Sequence, residues 1–147
     1  MRLPIQVQGI LFRKINGRTQ YLLLKRIPET GGLEEGFWQP VTGGIEEGEK
    51  RTEALKREVS EETGIKNYLR IIENVHYDEF WDFFKREARQ RLIKEYVFGV
   101  EISSNENVAI GREHSEYRWC GFEEALKLLK WKENKEALKK LNEILSV

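Results

Sequence analysis

A mixed β-sheet flanked by helices is the fold class this sequence predicts, and three observations predict it. Short runs rich in β-branched and aromatic residues fill the first two thirds of the chain. One helical pattern is embedded among them, and two more close the C-terminal end. Strands interrupted by a helix and followed by a helical tail suit a sheet with helices on its faces. No internal repeat or low-complexity linker interrupts the pattern, so residues 1–147 read as one α/β domain.

Ile5–Lys14 mixes β-branched and apolar residues in partial alternation and reads as a strand, ended by the turn-forming pair Asn16-Gly17. Tyr21-Leu22-Leu23-Leu24-Lys25-Arg26 reads as a short buried strand. Pro28 and Gly31-Gly32 open a loop that runs to Gly36. Phe37–Thr42 is expected to be extended, and Gly43, Gly44 and Gly48 to make a tight loop after it. A helix is predicted from Lys50 to Thr63, with Gly64 as its C-terminal stop. Leu69–Tyr77, Arg91–Ile102 and Tyr117–Cys120 read as strands, and Phe122–Trp131 and Glu133–Leu145 as helices. The aromatic and charged stretch Asp78–Arg89 shows neither period and is left unassigned.

Composition narrows the function classes. Lys and Arg total 25, as do Asp and Glu, so net charge points to neither a nucleic-acid partner nor a membrane surface. A hydrophobic content of 39% supports a packed core rather than a disordered chain. Cys120 is the single cysteine, which rules out an intramolecular disulfide and suits a reducing compartment. Met1–Ile5 lacks a signal-peptide run and no apolar segment is long enough to span a bilayer, so a cytoplasmic location is expected.

The chemistry concentrates in residues 43–65. At about 3.6 residues per turn, Glu58, Glu61 and Glu62 stand at i, i+3 and i+4 and share one helix face, while Leu55 and Val59 form an adjacent apolar stripe. Such a helix can pack on a core and still hold three acids at a cleft edge. Like charges at this spacing cost an isolated helix roughly a few tenths of a kcal/mol per pair. Their place near the helix C-terminus adds to the penalty, because the dipole there disfavours anions. A divalent cation reverses it, and oxygen clusters of this type suit Mg²⁺ or Mn²⁺. Paired acids on a helix surface are ordinary by themselves, so the loop before them matters.

That loop and helix read Gly43-Gly44-Ile45-Glu46-Glu47-Gly48-Glu49, seven residues, then Arg57-Glu58-Val59-Ser60-Glu61-Glu62-Thr63-Gly64-Ile65. The run resembles the Nudix box at every defining position. The resemblance implies an α/β/α sandwich around a mixed sheet, with a loop-helix-loop catalytic motif. It further implies Mg²⁺, or Mn²⁺ in its place, held by Glu58, Glu61 and Glu62 with the Gly43 carbonyl as a further ligand. Arg57 and Glu49 would tie helix to loop, with any part for Arg57 in the chemistry secondary. The reaction implied is attack of water on phosphorus in a nucleoside diphosphate linked to another group, with Glu58, Glu61 or an acid outside the box as general base. Glu113 is the outside candidate for base or metal ligand, because Glu113-His114-x-Glu116-Tyr117-x-Trp119 resembles the segment where relatives supply one; a plain surface Glu is the alternative.

Phe37-Trp38-Gln39-Pro40-Val41-Thr42-Gly43-Gly44 resembles the approach to the box in bacterial dATP/dihydroneopterin triphosphate pyrophosphohydrolases. The C-terminal part from Glu113 to the last helix equally resembles asymmetric diadenosine tetraphosphate hydrolases, which usually carry Pro-Lys-Gly where this chain has Val41-Thr42-Gly43. A nucleotide-like small molecule is therefore the expected partner, with a nucleoside or pterin triphosphate favoured, a dinucleoside polyphosphate next, and a non-catalytic nucleotide-binding module as the contrast. The family also admits homodimers.

Outside the box, Lys25 and Arg26 end a strand near the cleft-forming loops and could meet phosphates or simply cap the strand in solvent. Trp38, Phe80, Trp81, Phe83 and Phe84 offer rings for base stacking, Trp81 and Phe84 foremost, or else belong to the core. Lys85, Arg86, Arg89 and Arg91 make a basic patch beside them. His76 and His114 are too isolated for a zinc site, although His114 adjoins Glu113. Cys120 reads as packing.

Overall fold

The computed structural model describes residues 2–27, 36–84 and 89–146. Its elements follow in the order β1 (Arg2–Ile15), β2 (Arg18–Arg26), β3 (Phe37–Gln39), β4 (Val41–Glu46), α1 (Arg51–Thr63), β5 (Arg70–Phe84), β6 (Arg89–Glu101), β7 (His114–Cys120), α2 (Phe122–Leu128) and α3 (Lys132–Leu145). The predicted mixed sheet with helices on both faces is present, and its parallel pairing joins β1 to β6, from Ile5↔Lys94 to Phe12↔Glu101.

Asn16 and Gly17 both take positive φ, 52° and 77°, which matches the twist of a two-residue hairpin turn and sets Ile15 opposite Arg18. Beyond that hairpin the sheet divides. β2 pairs with the far part of β1, Phe12–Ile15, whereas β4 pairs with its first part, Arg2–Gly9. β3 leaves with β2, matching Leu24–Arg26 to Phe37–Gln39. Pro40 stands between β3 and β4 and is buried. With no N–H to give either ladder, it is the natural residue for the crossing from one branch to the other. β7 then pairs along the outer side of β2.

Period-two alternation along β1 sends its side chains to two cores. Val7 and Leu11 join Leu55, Val59 and Ile65 under α1, while Ile10 and Phe12 join Leu138 and Leu141 under α3. Two glycines let the helices approach. A Cβ on Gly9 would meet the Leu55 Cδ1 at 2.7 Å, and one on Gly99 the Leu141 Cδ1 at 2.7 Å.

Two sequence expectations change. Gly43 and Gly44 are not in a tight loop but in β4, opposite Val7 and Gln6, and the turn comes later, at Glu47-Gly48. Ladder bonding to β1 extends the strand that far, and Gly48, at φ 83°, supplies the reversal. The unassigned stretch after Tyr77 extends the β5–β6 pairing, from Asp78↔Glu95 to Phe84↔Arg89. It shows no alternation because aromatics and charges occupy both parities of the strand. The loop residues 28–35 and the pair Lys85-Arg86 lie outside the described residues, as do the side chains of Phe83, Phe84 and Arg89.

Gly64 closes α1 at φ 75°, its N–H donating to the Ser60 carbonyl. Gly64→Ala forces a side chain into the left-handed region and should lower stability by about 1–2 kcal/mol, read as a lower urea midpoint at unchanged m-value. An unaltered midpoint would show that this helix end bears no such conformational load.

Candidate active site

The start of α1 is organised by its own acids. The Glu53 carboxylate accepts the Lys50 N–H at 2.8 Å, and Glu49 accepts the Glu46 N–H at 3.0 Å across the turn. Arg57 then binds the loop to the helix. Its Nε and Nη2 donate to the two Glu49 oxygens at 2.8 and 2.9 Å, Nη2 also reaches the Gly44 carbonyl at 2.9 Å, and Nη1 donates to Glu58 Oε1 at 2.7 Å. Nη1 also lies 3.6 Å from Glu61. The bond from Arg57 holds the Glu49 carboxyl below its ordinary range. The brace expected between these two residues is therefore a bidentate pair.

The three acids of the shared helix face have different surroundings. The Glu61 side chain is 59% exposed and Glu58 is 13% exposed. Glu62 is buried, and among the described residues neither oxygen completes a hydrogen bond, though the Thr42 backbone N–H favours its charged form. Burial first, and then Glu58 beside it, push its carboxyl far above the ordinary range. Gly43 passes directly under Glu58, where any Cβ would occupy the space of the carboxyl group. That close approach is a second reason, besides the ladder, for a glycine in β4.

The rim of the acid cluster comes from the two branches of the divided sheet. His114, at the start of β7, places Nε2 3.8 Å from Glu62 Oε1 and 3.1 Å from Gln39 Nε2. Burial, followed by the charge of Arg26, lowers the His114 pKa, so the ring is neutral and does not compensate Glu62. Its Nδ1 has no partner among the described residues. Glu113 lies on the loop just before β7, 59% exposed, with an ion pair to Arg26 at 3.5 Å, and its charge contributes to the upward shift at Glu62. Lys25 pairs with Glu116 at 3.7 Å.

Among the described residues, the acidic and imidazole groups drawn close enough together for one ion are those of His76, Asp78 and Glu136, not the box acids. Yet carboxylate oxygens of the box type are the donors a hard divalent cation prefers. A buried carboxyl beside a second carboxyl, with the Thr42 N–H as its backbone support, is the kind of group that a divalent cation would stabilise. Glu58, Glu61, Glu62 and the Gly43 carbonyl are the groups that could hold it.

A cavity of about 490 Å³ adjoins this cluster. Gln39 and Thr42, which flank the sheet's division, line it together with Arg26. Trp81, 65% exposed, stands on its wall with Phe37, Phe80 and Trp131. Of the predicted substrate contacts, Arg26 and Trp81 thus meet at one cavity. Trp38 instead packs against the second core, with Lys25 and Arg118 over its ring at 5.9 and 5.2 Å. Phe84 falls where side chains are not described. Sequence reasoning overlooked Gln6, Gln39 and Glu95. A signal existed for Glu95, since its parity in β6 matches buried Ile93 and Val97.

Residues 6–141 match the family model described as NUDIX domain. The chain belongs to the Nudix family. It is 33% identical over 136 residues to a mouse bis(5'-nucleosyl)-tetraphosphatase (asymmetrical), covering 88% of this chain and 83% of that protein. A Listeria monocytogenes protein described as a NUDIX hydrolase superimposes with a TM-score of 0.82 at 32% identity, covering 98% and 95% of the two chains. The dihydroneopterin triphosphate pyrophosphohydrolase of E. coli shares the fold at 24% identity and a TM-score of 0.76, covering 95% and 94%. The chain also spans 37% of the length of an octanoyltransferase from Myxococcus xanthus, with 31% identity over 141 residues and 93% of this chain matched. As a Nudix hydrolase the chain is an enzyme of phosphoanhydride bonds.

Two predictions concern the acids of this Nudix helix. The folded-state pKa of Glu62 is raised above 4.5, so folding is penalised as pH climbs from that value through neutrality. In EDTA, Glu62→Gln should therefore melt higher than the parent by at least about 3 °C near pH 8, with the difference vanishing near pH 4.5. Equal melting at both pH values would mean the carboxyl is not desolvated. Gly43→Ala should displace the Glu58 carboxyl and lower turnover by at least about 100-fold while far-UV circular dichroism stays unchanged; full activity would mean that the close approach is dispensable.

Proposed function

We propose that this chain is a Mg²⁺-dependent pyrophosphohydrolase, with Mn²⁺ able to substitute, that cleaves a nucleoside or pterin triphosphate by attack of water at phosphorus. The observation supporting this reading is the Glu62 carboxyl, buried beside Glu58 with neither oxygen completing a hydrogen bond among the described residues. Glu58, Glu61, Glu62 and the Gly43 carbonyl hold the cation. When bound, such an ion neutralises phosphate oxygens and lowers the pKa of a coordinated water.

The remaining roles belong to the chain's own groups. Arg57 keeps Glu58 and Glu49 in place and is a positioning residue first. Arg26 lines the cavity beside Glu113, where a guanidinium can exchange its carboxylate partner for a phosphate. Glu113 is thereby released toward the acid cluster and joins Glu58 and Glu61 as candidate general base or further ligand. Lys25 offers a second cation at the same strand end. Neutral His114 accepts or donates according to its tautomer and keeps Gln39 oriented against the cluster. Intact box acids argue against a binding module without turnover. The free, buried Cys120 accords with a cytoplasmic setting.

A second reading, asymmetric hydrolysis of a dinucleoside polyphosphate, is favoured by the 33% identity to the mouse tetraphosphatase over most of both chains. A substrate panel separates the two. The purified protein with Mg²⁺ should release products from dihydroneopterin triphosphate or a nucleoside triphosphate with a kcat/KM at least about 10-fold above that for diadenosine tetraphosphate, and Glu58→Gln or Glu62→Gln should reduce it by at least about 100-fold. Preference for the dinucleotide would establish the second reading. Undiminished turnover in both variants would refute the metal assignment.

A further inference from the structure

The cavity beside the acid cluster has a polar floor that the reaction itself does not use. Glu95 is 3% exposed, in the middle of the sheet. Its Oε1 accepts the Gln8 amide at 2.9 Å and its Oε2 accepts the Gln6 amide. Gln8 is fully buried and its own oxygen has no partner among the described residues. Both amides are therefore committed nitrogen-first to the carboxylate, and neither can turn over without setting oxygen against oxygen. In this arrangement Glu95 accepts from both amides. Each carboxylate oxygen carries two lone-pair directions and has one amide bond, so each retains one. Glu95 and Gln6 both line the cavity, and Glu133 adds a second carboxylate there.

The walls are flat and apolar. Phe37 and Trp131 meet edge to face at 5.7 Å between centroids, and Phe80 and Trp81 line the cavity from β5. Trp81 and Trp131, 65% and 45% exposed, present large rings that a flat ligand could stack on. The cavity, at about 490 Å³, is of the size of small-molecule sites. It extends to Arg26, so a ring bound on its floor would direct its phosphates toward Glu113 and the box acids.

We propose, on the basis of the pyrophosphohydrolase reading above, that this cavity selects a ring with a 2-amino-4-oxopyrimidine edge, the edge shared by guanine and pterin, and that Glu95 is its specificity-determining residue. That edge presents a ring N–H and an adjacent exocyclic N–H, two parallel donors that match a carboxylate with one open lone pair on each oxygen, as a guanidinium does. The edges of adenine and cytosine pair one donor with a ring-nitrogen acceptor, and that acceptor would face a carboxylate oxygen. Hypoxanthine keeps the ring N–H and loses the amino group. Burial, reinforced by Asp78 and Glu133, pushes the Glu95 carboxyl up to about 7 even with two amides donating to it, and a ligand supplying two more donors offsets that penalty.

Binding of GMP and IMP, which differ by the 2-amino group alone, tests this through quenching of tryptophan fluorescence, with AMP and neopterin as further ligands. Wild-type protein should bind GMP or neopterin at least about 10-fold more tightly than IMP or AMP, and Glu95→Gln should bring the GMP-to-IMP ratio close to one, because its amide opposes one of the two donors. Tighter binding of neopterin than GMP assigns the pterin source, and the reverse assigns guanine. Equal affinity of wild-type protein for GMP, neopterin and IMP overturns the proposal without reference to any variant. So does an unchanged ratio in Glu95→Gln. Hydrolysis of GTP and ITP with Mg²⁺ separates this outcome from the parent reading. Turnover without GMP selectivity defeats the pocket assignment alone, and GMP selectivity without turnover of any polyphosphate defeats the pyrophosphohydrolase reading alone.

Discussion

One guanidinium makes the acid cluster structurally tolerable. Arg57 donates to Glu49, Glu58 and the Gly44 carbonyl and lies within ion-pair distance of Glu61, so loop, strand and helix converge on a single cation. The need is electrostatic. Glu58, Glu61 and Glu62 occupy the last turns of α1, where the dipole disfavours anions and the last turn carries no basic residue. One positive charge cannot balance that set. It is placed to control the loop geometry and leaves Glu62 uncompensated. Without the bidentate pair to Glu49, neither the turn after β4 nor the position of Glu58 over Gly43 would be held.

The imbalance is a cost to the fold taken by itself. A helix designed for stability alone would not bury a carboxyl with neither oxygen completing a hydrogen bond among the described residues, and would not place a neutral imidazole 3.8 Å from it where a charged one would help. On the proposed function, the environment that raises the proton affinity of Glu62 would also raise its affinity for a divalent cation, since both interactions relieve the same desolvated charge. Folding free energy withheld here would then be returned on binding, linking occupancy of the site to stability.

The sequence makes the helix and its box legible because their signals are local. Helical spacing places Glu58, Glu61 and Glu62 together, and Gly64 ends the helix where expected. What spacing cannot express is depth. Three acids on one face look equivalent along the chain, yet packing against β4 and β7 buries Glu62 and leaves Glu61 in solvent. Gly43 was legible as a box glycine but not as a strand residue, because the ladder partner that extends β4 lies in β1. The pairing of Gln6 and Gln8 with Glu95 joins residues far apart in the chain, and only the parallel register of β1 and β6 brings them together. The arm after Tyr77 was unreadable because its aromatics sit on both parities, a pattern that only its pairing to β6 resolves.

The division of the sheet at Pro40 explains why acid cluster and cavity are neighbours. A continuous strand from Phe37 to Glu46 would hold β2 and β1 side by side and leave no opening between them. Because β3 follows β2 and β4 follows β1, the residues at the junction serve both branches. Gln39 reaches His114 beside Glu62 and also lines the cavity, and Thr42 lines the same cavity one residue before Gly43. A ligand spanning the junction would thus meet ring-sized space on the α3 side and carboxylates on the α1 side. Its recognition and its hydrolysis would be separated by the width of one strand. On the proposed roles, a change at this junction should therefore alter affinity and turnover together, whereas changes at Glu95 should act on affinity and changes at Glu61 on turnover.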